Sequence, residues 1–282
     1  MCHGVVVLIL LALLFSSEAE GMRILITGGS QGIGLGLARH LLARPEITTV
    51  VSTSRHRSEE QTRLWEETTD KSRLLLLNLD VTEKASHEEL SRQLREAGFD
   101  SIDILILNHG ISNPEHPNDP ILVSSAEDMM NCYRTNVVGT MLCLQTLNDL
   151  VLASRVKLVV ALSSKMGSIE QALGGIAGCT SYSTSKAALN MLLAKYVQDS
   201  RVKRDGGRAL LLHPGHVATS MGSSKGRLAP VTVDQSCAGL VERILCAAAV
   251  QKGEGTSSFL LEERLLRDDL AFVTYEGELL PF

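Results

Sequence analysis

The stretch that most restricts how this chain can fold is a short apolar run at 23–27. It passes straight into Thr27-Gly28-Gly29-Ser30-Gln31-Gly32-Ile33-Gly34 and then into a helical pattern over 34–43. A glycine-rich turn between a strand and a helix lets backbone approach an anion and aims the first amides of the helix at it. In this turn Gly28 suits the tight reversal, Gly32 the close approach to a pyrophosphate, and Gly34 the packing of helix against strand. Such a turn opens a βαβ unit, so it predicts parallel strands covered by helices on both faces.

The rest of the chain keeps that rhythm. Further strands are predicted at 48–52, 74–79, 102–107, 157–162 and 209–213, and further helices at 87–97, 126–153, 184–198 and 233–249. The expected class is α/β, a doubly wound parallel sheet of the Rossmann type. No repeat or low-complexity linker divides the chain, so a single domain is expected over 22–282. Its tail reads as an edge strand drawn from Phe259-Leu260-Leu261 and 271–275, around a charged insertion at 262–269. Loops rich in Pro, Asn, Ser and Gly lie at 113–120 and 220–230, and the second is placed to act as a lid over a substrate.

A net charge of −5 and no clustered basic stretch argue against a nucleic-acid partner. Six cysteines without CxxC spacing read as buried free thiols rather than a metal site. Residues 1–21 form a signal-peptide-like or unused extension, with an apolar run at 5–15 followed by Ser16-Ser17-Glu18-Ala19. That run is about half the length of a stable transmembrane helix, and no Lys or Arg precedes it. Two locations follow: cytoplasmic if translation effectively starts at Met22, secretory if the apolar segment is used.

The end of the second predicted strand bears on the cofactor. Ser54-Arg55-His56-Arg57 offers no carboxylate for ribose hydroxyls before Glu59, whereas the guanidinium of Arg55 can pair a 2′-phosphate, which favours NADP(H) over NAD(H). Leu79-Asp80-Val81 closes the third strand. Asp80 is placed either to accept from an adenine amino group or to cap the following helix.

Tyr182 and Lys186 stand four residues apart in a helical segment and so share a face. A phenol is a poor base near neutrality, but an ammonium beside it favours the phenolate. The pair can therefore deliver a proton to a carbonyl oxygen or take one from an alcohol. Ser164, at the carboxyl end of the strand ending at Leu162, is placed to hold the substrate oxygen, with Ser163 as its rival.

Taken in order, Thr27 to Gly34, Asn108-His109-Gly110, Ser163-Ser164, Tyr182-Ser-Thr-Ser-Lys186 and Pro214-Gly215 resemble the short-chain dehydrogenase/reductase family from Met22 to about Ala249. Leu162-Ser-Ser-Lys-Met-Gly-Ser-Ile169 and His213-Pro-Gly-His-Val-Ala-Thr-Ser-Met-Gly222 are most similar to its C-factor and carbonyl-reductase branch. The resemblance implies a catalytic set of Asn136, Ser164, Tyr182 and Lys186, with Asn136 holding a water that joins the lysine to solvent. It implies cofactor contacts from Gly28, Ser30, Gly32, Ile33, Gly34, Arg55, Asp80, Val81, Asn108, Gly110, Tyr182, Lys186, Pro214, Gly215 and Thr219, the last reaching the nicotinamide amide. It also implies a small-molecule carbonyl or alcohol substrate and a homo-oligomer.

Two departures stand out. The segment 170–179 lengthens the interval between Ser164 and Tyr182, and His109 occupies a position where the family carries Ala. His109 reads as a neighbour of the cofactor or as a substrate contact. An oxidoreductase is the expected function; a C-factor-like signalling protein that binds cofactor without turnover is the alternative, and an epimerase or dehydratase that recycles bound cofactor is a third reading.

Overall fold

Seven short apolar runs pair side by side, all parallel: β1 (Met22–Thr27), β2 (Ile47–Ser54), β3 (Leu74–Asn78), β4 (Ile104–Leu107), β5 (Leu158–Leu162), β6 (Arg208–His213) and β7 (Leu270–Thr274). Their order across the sheet is β3-β2-β1-β4-β5-β6-β7. The computed structural model describes residues 21–113, 115, 118–175, 178–254 and 258–282. Apart from Gly21, the expected N-terminal extension lies outside these residues.

The helices are α1 (Gly32–Leu42), α2 (Glu59–Glu67), α3 (Lys84–Glu96), α4 (Ala126–Tyr133), α5 (Gly139–Ala153), α6 (Ile169–Leu173), α7 (Thr180–Gln198), α8 (Ser200–Asp205), α9 (Val233–Lys252) and α10 (Phe259–Asp268). Alternate strand residues face opposite ways, which divides the core in two. Ile24, Ile26, Ile106, Val160 and Leu212 pack with Leu37 and Leu41 of α1 and Leu240 and Ile244 of α9. Leu25, Leu105, Val159 and Leu211 pack with Leu90 of α3, Leu147 of α5 and Leu193 of α7. Both faces of the sheet are therefore covered, as continuous apolar strands require, and the fold is a single Rossmann-type α/β unit.

Several elements differ from their sequence-based outlines. The run Phe259-Leu260-Leu261 opens helix α10 instead of a strand, because Leu261 and Leu265, four apart, both turn into the core. Only Leu270–Thr274 joins the sheet edge. Helix α2 has no counterpart in the predicted pattern, since only Gln61 and Leu64 are buried along it. The predicted helix over 126–153 is continuous, but a π turn at Arg134–Val138 separates α4 from α5. This helix is long and apolar enough to cross a membrane by length and composition, yet Cys143, Leu144, Leu147 and Val151 are packed into the core. The five described cysteines are buried thiols outside any disulfide.

The strand order reverses between β1 and β4. In doubly wound sheets the crevice at such a reversal, beyond the carboxyl ends of the strands, is where ligands bind. Gly28 follows β1 and Asn108 follows β4, so the glycine-rich turn and the Asn108-His109-Gly110 segment meet at that crevice.

Candidate active site

The glycine turn is shaped by clearances that side chains would close. Gly28 and Gly32 hold φ of +68° and +53°, in the left-handed region that favours glycine. A Cβ on Gly34 would lie 2.2 Å from the Gly28 carbonyl oxygen and 2.4 Å from Asn108 Nδ2. That amide nitrogen donates to the carbonyls of Thr27 (3.1 Å) and Gly28 (2.8 Å), which fastens the turn to the end of β4. Ser58, the N-cap of α2, donates through Oγ to the Ser30 carbonyl at 2.5 Å and holds the turn from the other side. Beside it, a Cβ on Gly32 would sit 3.2 Å from Thr219 Cγ2, so the segment after β6 closes over the same turn. Ile33 is the second residue of α1, and its carbonyl accepts from Cys237 Sγ of α9 at 3.5 Å. This cradle of positive-φ glycines at a helix N-terminus fits a dinucleotide pyrophosphate.

Arg55 is exposed just past β2, and its charge acts on Asp80 beyond β3. Burial opposes ionisation of Asp80, but hydrogen bonds from Thr82 and the charges of Arg55 and Arg134 together hold its carboxyl below the usual range. Asp80 Oδ1 accepts from Thr82 N (2.9 Å) and Thr82 Oγ1 (2.7 Å), so the carboxylate fastens the turn leading to α3. Val81 is buried against Gly139, where a Cβ would come within 2.8 Å of Val81 Cγ2. Pro214 accepts from Ser236 Oγ at 2.7 Å, and Gly215 turns the chain with φ +86°. The Oγ1 of Thr219 accepts from Gly222 N at 3.1 Å, capping the turn that opens the 220–230 loop.

The four expected catalytic side chains converge beneath this turn. Helix α7 carries Tyr182 and Lys186 on one face, with the Lys186 Nζ 5.7 Å from the centre of the Tyr182 ring. Lys186 Nζ donates to the Leu162 carbonyl at the end of β5, 2.6 Å away. Ser164 begins the turn after β5, and it lies near enough to Tyr182 to pull the phenol's pKa downward. Ser163 turns instead toward Asn190, donating to Oδ1 at 2.5 Å, so of the two serines it is Ser164 that meets the tyrosine. A Cβ on Gly167 would come within 2.7 Å of the Lys186 carbonyl carbon, which is how the Ser164 turn lies flush on α7.

Asn136 sits in the π turn, fully buried. Its Oδ1 accepts from Ile111 N (2.8 Å), and its Nδ2 donates to Ile111 O and Ser185 Oγ (2.9 Å each). Ser185 Oγ in turn donates to the Tyr182 carbonyl at 2.7 Å. A Cβ on Gly110 would lie 3.3 Å from Asn136 Oδ1 and 3.5 Å from Lys186 Nζ, so that glycine leaves backbone open beside both. Single π turns inside helices recur at functional sites because they re-aim one residue without ending the helix.

The titration behaviour differs from the sequence-based expectation. Burial pushes the Tyr182 phenol up to about 12, against the pull of Ser164. Burial likewise pushes the Lys186 ammonium down to about 8. The lysine spends its hydrogen bond on Leu162 rather than on the phenol oxygen, so desolvation outweighs the depression of the phenol expected from the spacing. The result is a protonated phenol beside a mostly charged ammonium at pH 7.

The start of the added segment lies in α6 (Ile169–Leu173), capped by Ser168 Oγ accepting from Gln171 N at 3.3 Å, with Ile169 and Leu173 exposed. The chain re-enters α7 through Cys179 at φ +54°. There Asp119 Oδ2 accepts from Ser181 N (3.1 Å) and Oγ (2.6 Å). This buried carboxylate was not legible as a site residue, since its partner lies 62 positions away.

The short chain dehydrogenase family profile matches residues 22–228. The chain belongs to the short-chain dehydrogenase family. It is 29% identical over 270 residues to an uncharacterised oxidoreductase of Schizosaccharomyces pombe, covering 94% of this chain and 100% of that protein. It is 28% identical over 258 residues to a norsolorinic acid ketoreductase of Dothistroma septosporum, covering 88% of this chain and 92% of that one. Among solved structures, the NADPH-bound carbonyl reductase from chicken fatty liver superposes with a TM-score of 0.76 at 26% identity, covering 93% of this chain and all of that one.

Proposed function

We propose that this chain is an NADPH-dependent reductase of aldehydes or ketones, with Tyr182 as proton donor. The observation that carries the reading is the convergence of Ser164, Tyr182 and Lys186, joined to Asn136 through Ser185, at the carboxyl edge below a glycine cradle. When bound, the cofactor supplies a hydride from its nicotinamide to the carbonyl carbon. The Ser164 hydroxyl holds the carbonyl oxygen. As the C=O π pair moves onto that oxygen, Tyr182 gives it the phenolic proton, and Lys186 stabilises the phenolate left behind. A phenol held near 12 is protonated at neutral pH, which suits the reductive direction.

The preference for the phosphorylated cofactor rests on Arg55 and on the lack of a carboxylate between β2 and Glu59. It agrees with the NADPH named for the chicken enzyme, and the ketoreductase name of the Dothistroma protein supports a ketone as substrate. Calorimetric titration with NADPH and NADH, followed by turnover on a panel of aldehydes and ketones, tests the proposal. Tyr182→Phe is expected to bind NADPH like the parent and to lose at least about a hundredfold in kcat. A variant that keeps its turnover removes Tyr182 from the proton transfer.

A further inference from the structure

His109 replaces the alanine of the family pattern, and none of the roles described so far uses it. Its ring lies between two threonines: Nδ1 is 2.7 Å from Thr27 Oγ1 at the end of β1, and Nε2 is 3.2 Å from Thr140 Oγ1 in the first turn of α5. The Thr140 hydroxyl lies nearer the Asn136 carbonyl, at 2.9 Å, than the ring; donating there, it accepts from Nε2–H. The Thr27 oxygen already accepts from the backbone N–H of Asn108 at 3.1 Å. Its own proton has two acceptors within reach, the Ile106 carbonyl at 3.4 Å and His109 Nδ1 at 2.7 Å, and the shorter contact is with the ring. The arrangement that gives each hydroxyl proton its nearer acceptor is Thr27 O–H to Nδ1, Nε2–H to Thr140, and Thr140 O–H to the Asn136 carbonyl.

We propose that His109 is a positioning residue, a neutral imidazole strut that ties β1 to the π turn and thereby sets where Asn136, and through Ser185 the start of α7, stand relative to the glycine cradle. The ring's charge state is consistent with a strut. Burial first, and then the charges of Lys186 and His87, push its pKa down to about 3, so it stays neutral throughout the neutral range, and its two threonine partners select the tautomer. Gly28 completes the arrangement, since a Cβ there would lie 3.0 Å from the His109 Cα. The strut explains how the chain departs from alanine at this position without giving the site a second acid or base.

The inference rests on the proposed reductase reading for its kinetic arm only. Its independent arm is nitrogen-15 NMR of the labelled full chain. Wild-type His109 is expected to show the neutral Nε2–H tautomer from pH 5 to 8, and an imidazolium or a tautomer mixture in that range overturns the strut. In the kinetic arm, His109→Ala is expected to lower kcat about tenfold with KM for NADPH within twofold, the pattern of a misplaced site rather than a lost binding contact. His109→Gln, whose amide can donate to Thr140, is expected to recover most of the loss. Thr140→Val breaks the same chain one link further on, so combining it with His109→Ala is expected to cost no more than either change alone. Equal effects of Ala and Gln, or additive effects of the pair, overturn the proposal. Absence of turnover in the parent protein would sink the reductase reading and leave the tautomer measurement to decide the strut.

Discussion

At the scale of single residues, burial governs the acid–base behaviour of the site more than charge pairing does. Lys186, held near 8 by burial, is charged at pH 7 and loses its charge well before Tyr182, held near 12, loses its proton. Reduction needs both protons in place, so kcat/KM is expected to stay level to about pH 8 and then to fall about tenfold per pH unit. A profile that stays level to pH 10 would show that the ammonium is not required. The stability sign is opposite. The folded pKa lies below the unfolded value of about 10.4, so the cost of burying the charge is full below about pH 8 and is relieved as pH rises through that window. Arg55 allows a separate test on cofactor choice. Its guanidinium is exposed, so Arg55→Ala is expected to leave the fold intact, weaken NADPH binding by about tenfold, and leave NADH binding unchanged. Equal loss for both cofactors would mean that Arg55 does not read the 2′-phosphate.

At the scale of elements, what could be read in the sequence depended on whether an element's own pattern decided its structure. The strands and the helices α1, α5 and α9 bury long apolar stripes, so their periodicity is visible in the chain. Helix α2 buries two side chains and has no stripe to see. The π turn at Asn136 is invisible for another reason: its side-chain partners, Ile111 and Ser185, lie 25 and 49 positions away. The same holds for the start of α7, which precedes the predicted start by four residues, at Thr180 rather than Thr184. There Asp119 supplies a carboxylate to Ser181 in the first turn, a favourable placement at the positive end of a helix. Burial works against its ionisation, but the hydrogen bonds from Ser181 prevail and hold its pKa below the ordinary value. Asp119→Ala is therefore expected to destabilise the protein by about 1–2 kcal/mol at pH 7. A depressed carboxyl gives stability above its unfolded pKa and loses it as pH falls through the folded one. The gap between variant and parent should accordingly narrow below about pH 4. Denaturant melts of both proteins at pH 7 and pH 3 check this, and an unchanged gap would assign the effect to packing instead.

At the scale of the whole molecule, the site depends on a stretch of chain that the family profile does not reach. The match ends at residue 228, yet β7 and α10 lie beyond it and finish both halves of the core. Sequence patterning placed a strand near 271–275 but misassigned Phe259-Leu260-Leu261, since three adjacent apolar residues do not distinguish a strand from the first turn of a buried helix. Strand β7 is buried along its whole length although it is the edge of the sheet, and Phe272 within it is 1% exposed. From the same tail, the Tyr275 ring reaches within 3.0 Å of where a Cβ would stand on Gly215, the turn that leads to Thr219. If the tail is part of the cooperative unit, Phe272→Ala should cost about 3–5 kcal/mol, because the cavity left under a sheet closes poorly. For a chain of this size that corresponds to a fall in Tm of roughly 10 °C in a single transition. A fall below about 3 °C, or a separate early transition for the variant, would show instead that β7 docks on a core that is already complete without it, and that the turn toward Thr219 is held in place by β6 and α9 alone.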